Sequence, residues 1–240
     1  MKKDILEYLW RRFPHHCIVL TDPATLQVIE FGIRRAAVHG FHASEQVCSW
    51  VTLMIFFGAY FDEDPLFAWA GETLHSARGA TAEETMRLLY RRMNEATNPV
   101  LGENSVNYRR ALGWVRELEF DEILNDAAGA SDSDASLAAW IRIAFPARYA
   151  SLSAETLQYL TGRARSWSRQ YELAQGSGAI ECVLLMTLFS SHVDRDPLRP
   201  WVAEVLDDRS FSEPLRKTRA LHESLQRTLK RFAMLDRFRS

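Results

Sequence analysis

Cysteine is scarce in this chain of 240 residues: Cys17, Cys48 and Cys182 are odd in number and far apart. That argues against a disulfide framework and suits reduced thiols in a cytosol. Charge of one sign is also lacking. Lysine and arginine total 29 against 31 acids, a net charge of −2, so nothing draws the whole chain toward nucleic acid or anionic lipid. Long hydrophobic runs are absent. The longest, Val47 to Phe61, is interrupted only by Ser49, Thr52 and Gly58. It is too short for a bilayer, which needs about 20 residues, and reads as a helix buried on nearly every side. The N-terminal M-K-K-D-I-L-E-Y-L-W-R-R carries acids within its apolar stretch and reads as an amphipathic helix, not a secretory signal.

Motifs of common chemistry are missing too. No C-x-x-C, H-E-x-x-H, G-x-S-x-G, Walker or dinucleotide glycine pattern occurs. No segment alternates with period two between hairpin turns, so strands are not expected. With 47% hydrophobic and 25% charged residues the chain has the composition of a folded domain.

What is present is an internal repeat. From Asp62 the chain reads D-E-D-P-L-F-A-W-A-G-E-T-L, and 132 positions later, from Asp194, D-R-D-P-L-R-P-W-V-A-E-V-L. Asp62, Asp64, Pro65, Leu66, Trp69, Glu72 and Leu74 match Asp194, Asp196, Pro197, Leu198, Trp201, Glu204 and Leu206. The same offset pairs Phe13-Pro14 with Phe145-Pro146, Val51 with Val183, Leu53-Met54 with Leu185-Met186, and Phe57 with Phe189. The expected architecture is therefore all-α, two tandemly duplicated helical modules: residues 1–126, a linker at 127–136 reading A-A-G-A-S-D-S-D-A-S, and residues 137–240.

Helix punctuation supports this division. Expected helices cover residues 4–13, 22–40, 45–61, 65–74, 82–96 and 105–124, then 137–144, 153–171, 179–193, 197 onward and 212–240. Asp64-Pro65 and Asp196-Pro197 each join a capping carboxylate to a proline suited to a first helical turn. Trp69 and Trp201 follow one turn later and are expected to be large buried anchors. These six residues read as scaffold.

Candidate chemistry is thin. Asp62, Glu63 and Asp64 bring three carboxylates together, but the alternating ligands, glycine and distal glutamate of a calcium loop are missing, and Arg195 replaces Glu63 in the second copy. His39, His42 and Cys48 are the residues a metal-dependent enzyme would use, though no metal-ligand spacing connects them. Gly176-Ser177-Gly178 reads as a turn that opens the second buried helix. The last helix is basic, and Arg227, Lys230 and Arg231 on it are candidate partner-binding residues. The stretch from Glu117 to Asp134 is correspondingly acidic. No catalytic residue, cofactor or metal is assigned, and no membrane contact is expected. Nucleic-acid binding through the last helix is the weaker use of its charge.

Residues 26–74 resemble a family of small helical proteins encoded beside spike and effector genes of bacterial type VI secretion systems. The resemblance rests on Phe31-Gly32, Arg34, Ala37, Gly40, Val47, Leu53-Met54, Phe57-Gly58, Phe61, Asp64-Pro65 and Trp69-Ala70. The second copy departs from it at Phe31, Gly32, Gly40 and Gly58. The resemblance implies a cytoplasmic, non-catalytic adaptor or co-chaperone that binds an effector or spike component, or alternatively an immunity protein that neutralises a cognate toxin.

Overall fold

A computed structural model describes residues 1–129 and 133–237, and all regular structure among them is helical. The first helices are α1 (Lys2–Arg12), α2 (Pro14–Leu20), α3 (Asp22–Val38), α4 (Ser44–Phe57), α5 (Ala68–Ser76), α6 (Ala82–Leu101), α7 (Val106–Glu117) and α8 (Phe120–Gly129). They are followed by α9 (Asp134–Ala144), α10 (Pro146–Ser151), α11 (Ala154–Gln170), α12 (Ser177–Leu188), α13 (Pro200–Asp207) and α14 (Pro214–Arg237).

Contacts divide the chain into two compact units. One comprises Met1–Ala96, Arg195–Pro200 and the chain from Arg231; the other comprises Thr97–Asp194 and Trp201–Lys230. This division does not follow the expected linker. Residues 127–129 finish α8 and residues 134–136 open α9, while residues 130–132 lie outside the described residues. The indole of Trp140 on α9 donates to Asp126 on α8 at 2.7 Å and packs edge-on against Trp114 of α7, tying these helices together.

A shift of 132 residues carries α1 onto α9 and α3 onto α11 with both ends coincident. The cap residues repeat as well: Phe13 has φ −132° and Phe145 has φ −133°. Pro14 and Pro146 do more than end a helix. Each occupies the first turn of a short new one, where its missing amide is no loss.

In the first unit α3 packs on α1, α2 and α4. A Cβ added at Gly32 would stand 2.5 Å from Val51 Cγ2 and 3.2 Å from Met54 Sδ, so α3 and α4 approach at a point where only glycine fits. Trp50 is fully buried, with Phe41 and Phe61 against it. It, and not Trp69, is the central indole. Trp69 and Trp201 are both half-buried, and each meets its module's phenylalanine at an interplanar angle of 76°, Phe57 at 5.4 Å and Phe189 at 6.5 Å.

α4 ends four residues before the expected limit because Gly58 takes φ 92°, which breaks the helix. Its start is held by the Gln46 side chain, which accepts from the amides of His42 and Ala43, and the Ser44 hydroxyl caps nothing. Thr81 and Glu84 form a reciprocal capping box at the start of α6. The expected helix at 105–124 is two helices, α7 and α8, separated at Leu118 by extended backbone.

In the second unit α12 is surrounded by α8, α9 and α11, and every one of its residues is buried. The apolar face of α14 buries Leu221, Leu225 and Leu229. No helix among the described residues is long and apolar enough to cross a membrane.

Candidate functional site

The three neighbouring carboxylates of the first unit have separate tasks. Asp64 accepts from the Leu66 amide at 2.9 Å, capping the 3-10 turn Pro65–Phe67, with Pro65 in its first position. Asp62 reaches α3, where its Oδ2 accepts from Arg35 Nη2 and lies 2.9 Å from His39 Nε2. Glu63 Oε1 shares that Arg35 Nη2 at 2.9 Å. Burial alone would raise the Asp62 carboxyl. The hydrogen bonds from His39 and Arg35 outweigh it and hold the group below the usual carboxylate range. Arg35 lies in the last turn of α3 and His39 is its C-cap, one turn on, so one carboxylate spans both and pins the loop after α4 to the end of that helix.

The second unit builds the same lock with other residues. Asp194 lies 3.8 Å from Arg163 and 3.5 Å from the Tyr171 hydroxyl, and Tyr171 occupies the position of His39 at the 132-residue offset. Burial, then the Asp194 charge, pushes the Tyr171 hydroxyl up to about 12. Asp196 belongs to the first unit. Its Oδ1 caps Leu198, and its Oδ2 accepts from Arg199 at 3.0 Å and from the Ala59 amide at 3.3 Å. Complete burial raises its pKa despite these donors. The adjacent Pro197 lies in a turn, and α13 starts at Pro200, one residue before Trp201.

A buried polar network in the second unit left little trace in the sequence. Glu181, fully buried on α12, accepts from His222 Nδ1 on α14, while His222 Nε2 lies 3.0 Å from the Leu118 carbonyl. Gln226 donates to the carbonyls of Val115 and Leu118 at the break between α7 and α8. Burial would lower the His222 pKa, but the hydrogen bond and charge of Glu181 raise it. The one available signal was Glu181 itself, an acid within an apolar run that needs a partner once buried. The network has the character of a structural clasp.

His39, His42 and Cys48 are not assembled as a metal site. His39 faces Asp62 and stacks on Trp50, His42 is exposed, and burial raises the Cys48 thiol. Among the described residues no group of three His, Cys, Asp or Glu side chains could hold a metal ion. Of the basic residues on α14, Arg227 and Lys230 are exposed on the second unit, whereas Arg231, in the first, donates to the Ile18 carbonyl of α2 at 3.0 Å.

The first unit also carries an aromatic strip. Phe56 on α4 is 59% exposed and meets Phe13 edge-on at 5.7 Å; Phe13 meets His16 at 6.0 Å, and His16 meets Phe232 at 5.0 Å. Burial, then the charge of Arg199, lowers His16 to about 4, so its ring is neutral and extends the apolar surface at neutral pH. The aligned residues of the second unit, Phe145 and Leu188, are buried. No family model matches the chain, nor does any curated protein or solved structure.

Proposed function

We propose that this protein is a non-catalytic accessory factor that binds another protein through the strip formed by Phe56, Phe13 and His16. The carrying observation is the exposure of Phe56, 59% against 9% for its counterpart Leu188. An exposed aromatic side chain held edge-to-face against half-buried neighbours offers large contact area at little entropic cost, the property of anchors at protein interfaces. The resemblance of residues 26–74 supplies the partner class: an effector or spike component of a type VI secretion system. A toxin is the partner in the immunity version of the same reading.

Co-expression with the products of adjacent genes tests this. The expected result is a discrete complex by gel filtration that forms with wild type and is lost with Phe56→Asp, whose own fold persists. Elution as a solitary species with every such product would overturn the proposal. Rescue of toxin-expressing cells separates the immunity role from the adaptor role.

A further inference from the structure

We propose that Arg195, stacked on Tyr60, is the open half of a two-arginine clamp for carboxylates, and that its occupant is an acidic segment of a protein partner. The inference builds on the protein-binding reading but concerns a different surface of the first unit. Two guanidinium groups lie over the Tyr60 ring: Arg35 with Cζ 5.5 Å from the centroid and Arg195 at 4.3 Å. Arg35 shows what the arrangement does, because its Nη2 holds the carboxylates of Asp62 and Glu63. Arg195 is exposed, lies closer to the ring, and has no hydrogen-bond or ion-pair partner among the described residues.

A guanidinium held over an aromatic ring by cation–π attraction keeps its N–H donors available to a carboxylate fork. The restricted side chain also loses less entropy on binding than a free arginine would. Arg34, exposed and 5.9 Å over Phe31, flanks the site, since Phe31 meets Tyr60 at 5.1 Å.

The charge balance favours a polypeptide over a nucleic acid. Arg34, Arg35 and Arg195 are accompanied by Glu30, Asp62 and Glu63, so the patch lacks the cationic surplus that phosphate backbones require. Three acids of the chain's own acidic stretch are engaged within the second unit: Asp121 with Arg219, Asp126 with Trp140, and Asp134 with Arg165.

The test is fluorescence anisotropy of a labelled oligoglutamate peptide with the full chain at low salt, alongside inorganic phosphate and an RNA oligomer of equal charge. Arg195→Gln is expected to weaken oligoglutamate binding about tenfold, the loss of one charge-assisted pair. Arg195→Lys, which keeps the charge without the planar fork, is expected to restore only part of it. Phe56→Asp should leave this binding unchanged, which separates failure of the clamp from failure of the aromatic strip. Oligoglutamate binding that Arg195→Gln leaves intact, or that Arg195→Lys restores in full, overturns the proposal. So does tighter Arg195-dependent binding of phosphate or RNA.

Discussion

Helices α4 and α12 carry nearly the same apolar pattern, with Val51 and Leu53-Met54 against Val183 and Leu185-Met186, yet only α12 is buried along its whole length. The packing of α12 against α8, α9 and α11 leaves none of its residues outside, whereas α4 presents Phe56 to solvent. Hydrophobic content sets how much surface a helix seeks to bury. Which faces find a partner is decided by neighbours supplied from distant sequence.

The strongest way to break this comparison is to place a charge at the aligned position in each helix. Leu188→Asp should destabilise the protein by about 4 kcal/mol or more, since an uncompensated carboxylate would enter the core. Phe56→Asp should cost less than about 1 kcal/mol, with partner capture as its main casualty. Urea unfolding of both variants decides the matter, and equal costs would remove the distinction between the helices.

The two loop locks give the next largest contrast. Asp62→Ala leaves Arg35 and His39 without their shared acceptor and should cost about 3 kcal/mol, as for a broken buried pair. Asp194→Ala removes longer contacts and should cost about 1 kcal/mol. The Asp62 term is also pH-dependent. Its pKa is lowered on folding, so its stabilisation is present above the unfolded value of 3.8 and is lost as pH falls through the lower folded value.

Two histidines should oppose each other in a pH series. His16 falls from 6.5 to about 4 on folding, so the unfolded chain takes up the proton first and stability declines as pH drops from about 6.5 to 4. His222 is raised. Its contribution is complete below 6.5 and disappears as pH rises through its higher folded value. Thermal midpoints of wild type, His16→Phe and His222→Gln across pH 4 to 8 should show the acid loss suppressed in the first variant and the alkaline loss suppressed in the second, together worth about 1–3 kcal/mol.

The smallest contrast is at the starts of α3 and α11. Ser153 has extended backbone and its hydroxyl accepts from the Thr156 amide, whereas Thr21, at the aligned position, has φ 72° and makes no capping bond. A β-branched residue is strained there. Thr21→Gly should stabilise by about 1 kcal/mol, and Ser153→Ala should cost about as much. Chemical unfolding of the two variants measures both signs.

Much of the fold was legible. The capping box at Thr81, the Asp64 cap, the cap at Ser153 and the helical class all follow from short-range rules that act within one turn, whereas Asp196 closes a turn ahead of α13 and not the helix start expected at Pro197. The 127–136 stretch misled because a small, polar composition marks a linker only when its neighbours leave it free, and Trp140 reaches back to Asp126 across it. The aromatic strip was hidden for the opposite reason. Phe56 sits within a run that reads as interior, and nothing local distinguishes an apolar residue that will be covered from one that will not.

The sequence by itself determined that this chain is helical, where most helices begin, and that two stretches offset by 132 residues share one plan, because capping, proline geometry and periodicity are local properties. Only the tertiary structure decided that Trp50 rather than Trp69 is the central indole, that Asp62 joins Arg35 and His39, that Glu181 meets His222 from 41 residues away, and that Phe56 and Arg195 face solvent. Burial and charge pairing depend on which surfaces meet, and those meetings are made between residues the chain keeps far apart.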